Sequence, residues 1–184
     1  MTPDAALAAL RLGGDAAAAS RTLLAHSADD ADMAASAAGL RAAVAPQLAG
    51  SLRPADRDIA RWLLEQEIAV HESAGHGASE TLYTLVAAVA RYADPDDVLL
   101  LWRARNATPQ TRAGVDVEQL ARPGVERVRR RLATLARTGN PQSAAAAQAL
   151  DWLESGLAGG AGDDLPGYFA WADERFGLHV SGPT

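Results

Sequence analysis

"SETLYTLVAAVARYADPDDVLLLW", residues 79–102, is the stretch that decides the fold class. Its first half carries four apolar residues at the i, i+3, i+4, i+7 spacing of one helix face: Leu82, Leu85, Val86 and Val89. Ser79 is suited to cap this helix. Asp94 and Pro95 then mark the start of another helix, whose first turn favours the acids at 96 and 97. The stretch therefore predicts two consecutive helices with a buried stripe.

The same signals recur along the chain, which is rich in alanine, leucine and other good helix formers. Helix-starting prolines stand at Pro54, Pro95 and Pro141. Their intervals lie close to the roughly 40–47 residues of HEAT and armadillo repeats. We therefore expect an all-α fold of antiparallel helix pairs, arranged as a HEAT-like short solenoid or as an irregular helical bundle.

The length of 184 residues suits one domain with a substantial core, so we expect residues 1–184 to form a single all-helical domain of seven to nine helices. The stretch "AGGAGDDL", 158–165, is predicted to be a flexible connector before a short C-terminal helix over 166–176. That helix carries an aromatic cluster, which the sequence assigns equally to the core or to an interface: Tyr168, Phe169, Trp171 and Phe176.

Composition excludes several classes of function. The chain has no cysteine, so disulfides and thiolate metal sites are ruled out. The formal net charge is −6, so a general attraction to nucleic acid or to anionic membrane is not expected. All 17 basic residues are arginine, and together with the alanine content this favours a GC-rich bacterial genome. Neither a signal peptide nor an apolar run of membrane-spanning length is found. We expect a cytoplasmic protein without a cofactor.

The stretch "HESAGH", 71–76, is the one candidate metal site. The pattern of His71, Glu72, Gly75 and His76 resembles the His-Glu-x-x-Gly-His zinc motif of dipeptidyl peptidase III. The resemblance implies that both histidines are ligands and that Glu72 activates a zinc-bound water. That family also needs a Glu-Glu pair on a second helix, and this chain has no such pair.

A regular helix would hold these two histidine rings about 140° apart, so they cannot share a metal without a π-bulge. The apolar pattern also ends at Val70, and Gly75 or Gly77 fits a helix end. We therefore favour a helix that starts near Pro54 and ends close to His71, with His76 in the following turn.

The basic segment "RPGVERVRRRLATLAR", 122–137, predicts an amphipathic helix. Its apolar stripe leaves Arg127, Arg130 and Arg131 on the opposite side. Charge runs of this kind are usually a solvated face, but arginine is also favoured in interfaces and makes bidentate contacts. These three are the leading candidates for partner contacts, followed by Arg103 and Arg105.

The passage "VLLLWRARNATPQTRAGVDVEQL", 98–120, resembles segments of uncharacterised bacterial all-helical, HEAT-like proteins, with their Trp-Arg-Ala run and following Asp-Val. This resemblance implies the fold class and no activity. Within the passage, "NATPQTRAG", 106–114, is predicted to be an ordered loop outside the core.

No nucleophile elbow, Walker loop or dinucleotide-binding motif occurs in the chain. We therefore predict a non-catalytic scaffold or accessory domain that binds another protein through an exposed helical face, for which a partner with an acidic surface would be complementary. The alternative is a small metal-dependent hydrolase using His71, Glu72 and His76. A third possibility is a small-ligand pocket near Trp102 or Trp171. The oligomeric state stays open.

Overall fold

The computed structural model describes residues 1–27 and 29–179, and this part of the chain is all-helical, as predicted. Eleven α-helices lie within it: α1 Pro3–Leu12, α2 Gly14–Leu24, α3 Ala31–Ala49, α4 Arg57–Ala74, α5 Glu80–Arg91, α6 Val98–Asn106, α7 Pro109–Gly114, α8 Val117–Ala121, α9 Val125–Ala136, α10 Ser143–Gly156 and α11 Leu165–Arg175. Short 3-10 turns, Pro54–Asp56 and Pro95–Asp97, precede α4 and α6.

Helix α5, which the opening stretch predicts, is the centre of the packing. Its side chains from Leu85 to Ala90 are all buried, together with Leu82 and Thr84. A helix that is apolar on nearly every side must be covered all round, and α5 contacts α3, α4, α6 and α8. One buried cluster runs through the molecule from Ala6 to Leu178.

The most extensive contacts between helices join neighbours in the sequence, in the pairs α1–α2, α4–α5 and α9–α10. Short connections between packed neighbours make such pairs antiparallel. After α11 the chain returns to the end of α3. There the Leu52 amide donates to the His179 carbonyl at 3.0 Å, and the His179 amide donates to the Ala49 carbonyl at 3.0 Å.

The two 3-10 turns hold a buried aspartate at the same place. Each turn begins with proline and ends with an acid, Asp56 or Asp97, that has almost no exposed surface. Arg11 of α1 binds both carboxylate oxygens of Asp56. Arg57, which begins α4, binds both oxygens of Asp97. The starts of α4 and α6 are thus tied to an earlier part of the chain by charge-assisted contacts.

The polar stretch 106–114 is not the predicted loop, because Asn106 ends α6 and Pro109–Gly114 forms α7. Thr108 and Thr111 cap the helix reciprocally, and both are buried. The Thr108 hydroxyl also donates to the Gly77 carbonyl at 2.6 Å, and the Thr111 hydroxyl donates to the Arg105 carbonyl at 2.9 Å. Since every hydroxyl finds an acceptor, these polar residues can enter the interior.

The predicted connector is shorter than expected and partly helical. A π-helical turn over Leu157–Ala161 continues α10, and Gly160 breaks it at a φ of 97°. The C-terminal helix follows as α11, close to its predicted bounds. Within the described residues, no helix has both the length and the apolar character required to cross a bilayer.

Two helical glycines provide a matched test of the packing. A Cβ on Gly156 of α10 would lie 2.9 Å from Val117 Cγ1, whereas one on Gly39 of α3 would contact nothing within 4 Å. We expect Gly39→Ala to raise the free energy of unfolding by about 0.5–1 kcal/mol. Gly156→Ala is expected to lower it by about 1–2 kcal/mol, since overpacking exceeds the same helical gain. Chemical denaturation measures both, and a stabilised Gly156→Ala would contradict the close approach of α8 and α10.

Candidate functional site

The stretch from His71 to His76 is a helix end, as predicted. Helix α4 runs to Ala74, and Gly75 closes it in the left-handed region at a φ of 71°, its amide donating to the His71 carbonyl at 2.9 Å. His71 lies in the last helical turn, and His76 lies in the exposed turn before α5.

The buried His71 ring belongs to a polar network at this helix end. Its Nε2 lies 3.1 Å from the Ser79 hydroxyl. That hydroxyl donates its one hydrogen to Glu67 Oε1 at 2.7 Å and accepts the Leu82 amide at 3.0 Å. Since the serine hydrogen is already given to Glu67, His71 must act as a donor towards Ser79. The arrangement therefore holds the cap of α5 and does not activate Ser79 as a nucleophile.

The three residues of the zinc-like motif have different surroundings. Glu72 is ion-paired with Arg103 at 2.5 Å, whereas His71 bonds to Ser79 and His76 is exposed. Among residues 1–27 and 29–179, no group of three or more His, Asp or Glu side chains is placed to hold a metal ion. The structure therefore does not assemble a ligand set from this motif.

The basic residues fall into two groups, partnered and free. Ten of the 17 arginines form ion pairs with other described residues, and Arg21 and Arg105 lie over tryptophan rings. In the part of the chain that the structure describes, the remaining five have neither kind of partner: Arg53, Arg112, Arg127, Arg130 and Arg137. Three of these five lie on α9 or directly after it.

The leading sequence candidates come together on one surface. Arg127, Arg130 and Arg131 line a shallow groove with Thr134 of the same helix and with Pro95. The opposite side of α9 is anchored in the core, where Val128 and Leu132 are fully buried. We call this surface the α9 groove. Arg131 pairs with Asp96 at 2.8 Å, so the groove already holds one carboxylate at its edge.

The second pair of candidates lies outside the α9 groove. Arg103 is engaged by both oxygens of Glu72 and borders a neighbouring cleft that Arg131 also lines. Arg105 stacks on Trp152, with its guanidinium 4.1 Å from the ring centroid. Burial and then the charge of nearby Arg112 lower the pKa of Arg105. Its stacked position makes Arg105 part of the packing between α6 and α10.

Sequence reasoning missed the buried ion pair of Arg41 and Glu67. Arg41 has no exposed surface, and its guanidinium reaches Glu67 Oε2 at 2.9 Å and the Leu24 carbonyl at 2.7 Å. A signal for it exists, because Arg41 falls at helical spacing within an apolar stripe that includes Ala37, Val44 and Leu48. A charged residue on a buried face needs a buried partner.

Comparison with protein-family models, with curated proteins and with solved structures finds no match for the chain.

Proposed function

We propose that this protein is a non-catalytic accessory or scaffold domain that docks an acidic segment of another protein in the α9 groove. The proposal rests on one observation, which is that exposed arginines without an ion-pair partner in the described part of the chain are concentrated on α9. Most arginines are satisfied within the fold, but Arg127 and Arg130 lie side by side, exposed and without a carboxylate partner among the described residues. A partner that supplies carboxylates would complete this surface.

The spacing of the groove suits an extended acidic segment. Arg127, Arg130, Arg131 and Thr134 follow the i, i+3, i+4, i+7 positions of one helical stripe. Guanidinium groups bind carboxylates with two parallel hydrogen bonds. At the edge of the same groove, Arg131 already forms an ion pair with Asp96 through a single N–O contact of 2.8 Å. Exposed charges of this kind contribute mainly to association rate and specificity, so salt should weaken the binding.

The fold supports a scaffold role for the α9 groove. Helix α9 packs along α10, and Arg129 ties the two together through Glu154. The HEAT-like arrangement expected from the proline spacing belongs to this proposal. It is supported by the three packed helix pairs and by the two matching aspartate turns. Stacked pairs leave one face free for a partner.

A displayed library of random peptides tests the proposal even though the partner is unidentified. The native protein is expected to enrich sequences rich in Asp and Glu. The double variant Arg127→Glu with Arg130→Glu should lose that enrichment, because the groove then repels carboxylates. Peptides selected by the native protein should bind the variant at least about tenfold more weakly in fluorescence anisotropy, since two charge contacts are reversed.

The matched control is Arg53→Glu with Arg112→Glu. These two arginines are also exposed and free of ion pairs among the described residues, but they lie outside the α9 groove. This variant has the same net charge as the α9 variant and should keep the enrichment. Equal loss in both double variants would mean that only overall charge matters, and the α9 groove would then be rejected as the site.

A further inference from the structure

A second cleft lies between α5, α8 and α11, away from the α9 groove. Four aromatic side chains and two polar ones border it: Tyr83, Tyr168, Trp171, Phe176, Asp116 and Gln119. The aromatic cluster predicted from the C-terminal helix is thus divided, with three rings half-buried and Trp171 52% exposed. The Tyr168 and Trp171 ring centroids are 5.5 Å apart, so the two rings form adjacent walls.

The polar groups of this cleft offer acceptors. The Tyr168 hydroxyl donates its only hydrogen to Asp116 Oδ2 at 3.0 Å, so the Gln119 group that faces it at 3.2 Å must be the Nε2 donor. Gln119 Oε1 is therefore not bonded to Tyr168; it is buried and has no hydrogen-bond partner among the described residues. Gln119 itself is 3% exposed. A buried acceptor left without a donor favours a ligand that brings one.

The charged side chain that borders the cleft is an acid, Asp116. Asp116 is exposed and forms no ion pair with the described residues. Burial raises the pKa of Tyr83, and the carboxylates of Asp116 and Glu80 raise it further. Burial and Asp116 likewise raise the pKa of Tyr168. Two arginines near the cleft are ion-paired: Arg175, which lies over Phe176, with Glu80 at 2.8 Å, and Arg122, which lies over Phe169, with Asp173 at 2.6 Å.

We infer that this cleft binds an alkylammonium group. Aromatic faces attract cations through their quadrupole, Asp116 supplies the countercharge, and Gln119 Oε1 accepts an N–H. The cavity volume is about 40 Å³, against about 10–15 Å³ for a single water, so it holds a group of roughly three or four non-hydrogen atoms. That size matches a small free amine or the end of a lysine side chain from another molecule.

The experiment is an NMR titration of the Trp171 indole N–H signal, assigned by its loss in Trp171→Phe. The probes are propylammonium, its neutral analogue propanol, and propionate. Propylammonium is expected to shift the signal with an affinity in the millimolar range, as its few atoms allow. Propanol and propionate should bind at least about tenfold more weakly. Equal shifts from propanol would overturn the inference, because the cleft would then be merely apolar.

Two variants keep the test independent of folding. Trp171→Ala changes an exposed side chain and Asp116→Asn preserves the shape of the acceptor, so both variants should have the same Tm as the native protein. Asp116→Asn should weaken propylammonium binding about tenfold when followed through Trp171, and Trp171→Ala should do the same when followed by calorimetry. The control Glu174→Gln removes an exposed acid of α11 that does not border the cleft and should change nothing. Unchanged binding in both cleft variants would overturn the site.

A further titration with N-acetyl-lysine amide distinguishes the two sources of the ammonium group. Tighter binding of the lysine amide than of propylammonium assigns the cleft to a lysine of another protein. Tighter binding of propylammonium assigns it to a free amine. Binding of neither would overturn the inference.

Discussion

Replacing Glu67 with alanine is expected to lower the free energy of unfolding by about 3–5 kcal/mol. Arg41 is fully buried, and its carboxylate partner is Glu67, at 2.9 Å. Without that partner the guanidinium stays in the core with the Leu24 carbonyl as its remaining acceptor. Ser79 also loses the acceptor for its hydroxyl. Urea denaturation followed by circular dichroism measures the loss.

Two further variants test whether the loss comes from the charge of Glu67 and from the burial of its ion pair. Glu67→Gln keeps the volume and removes only the charge, so its effect should lie between native and Glu67→Ala. Glu72→Ala breaks an exposed ion pair, in which two hydrogen bonds join Arg103 and Glu72 and the two side chains are 49% and 40% exposed. It should cost less than about 1 kcal/mol. If Glu67→Ala costs no more than Glu72→Ala, burial is not the source of the effect.

Asp97→Ala is expected to lower the free energy of unfolding by about 2–4 kcal/mol. The carboxylate is 1% exposed and accepts from Arg57 at 3.0 and 3.1 Å and from Arg61. Hydrogen bonds to charged groups are among the stronger ones. Water partly replaces them here, because both arginines are about 30% exposed, which places the cost below that of a fully buried pair. Thermal and urea unfolding both report it.

The neighbouring acid provides the control for this prediction. Asp96 stands in the same 3-10 turn, but its side chain is 60% exposed and pairs only with the half-exposed Arg131 among the described residues. Asp96→Ala should therefore cost about 1 kcal/mol or less. Equal losses for the two variants would show that the cost does not come from the contacts of Asp97 with Arg57 and Arg61 of α4.

The opening stretch shows how far local pattern reaches. The apolar spacing of Leu82, Leu85 and Val89 predicted α5, and Asp94 with Pro95 predicted a helix start. The structure adds that Asp97 is a buried acceptor for α4. Capping preference is a property of a few adjacent residues, whereas the partner of Asp97 lies 40 residues away in the sequence.

The candidate sites also combine features that local sequence predicts with features that depend on packing. A helix end at Gly75 or Gly77 was predicted from residue types, and in the structure Gly75 ends α4. The role of His71 was not predictable, because Glu67 and Ser79 contact its ring only when α4 and α5 pack together. On α9 the exposed stripe was predictable from periodicity. Which arginines are free depends on carboxylates from other helices, such as Asp96 for Arg131 and Glu154 for Arg129.

Local sequence patterns were enough to predict the all-helical class, the starts of several helices and the exposed side of α9, since these depend on interactions within a few turns of one helix. Three other features depend on the packing of distant segments. Arg41 and Glu67 share the core, Thr108 and Thr111 are buried in a short helix, and Asp116, Gln119 and Trp171 border one cleft. Those arrangements need charges and hydrogen-bond partners from distant parts of the chain, and local spacing does not predict which distant residues will be in contact.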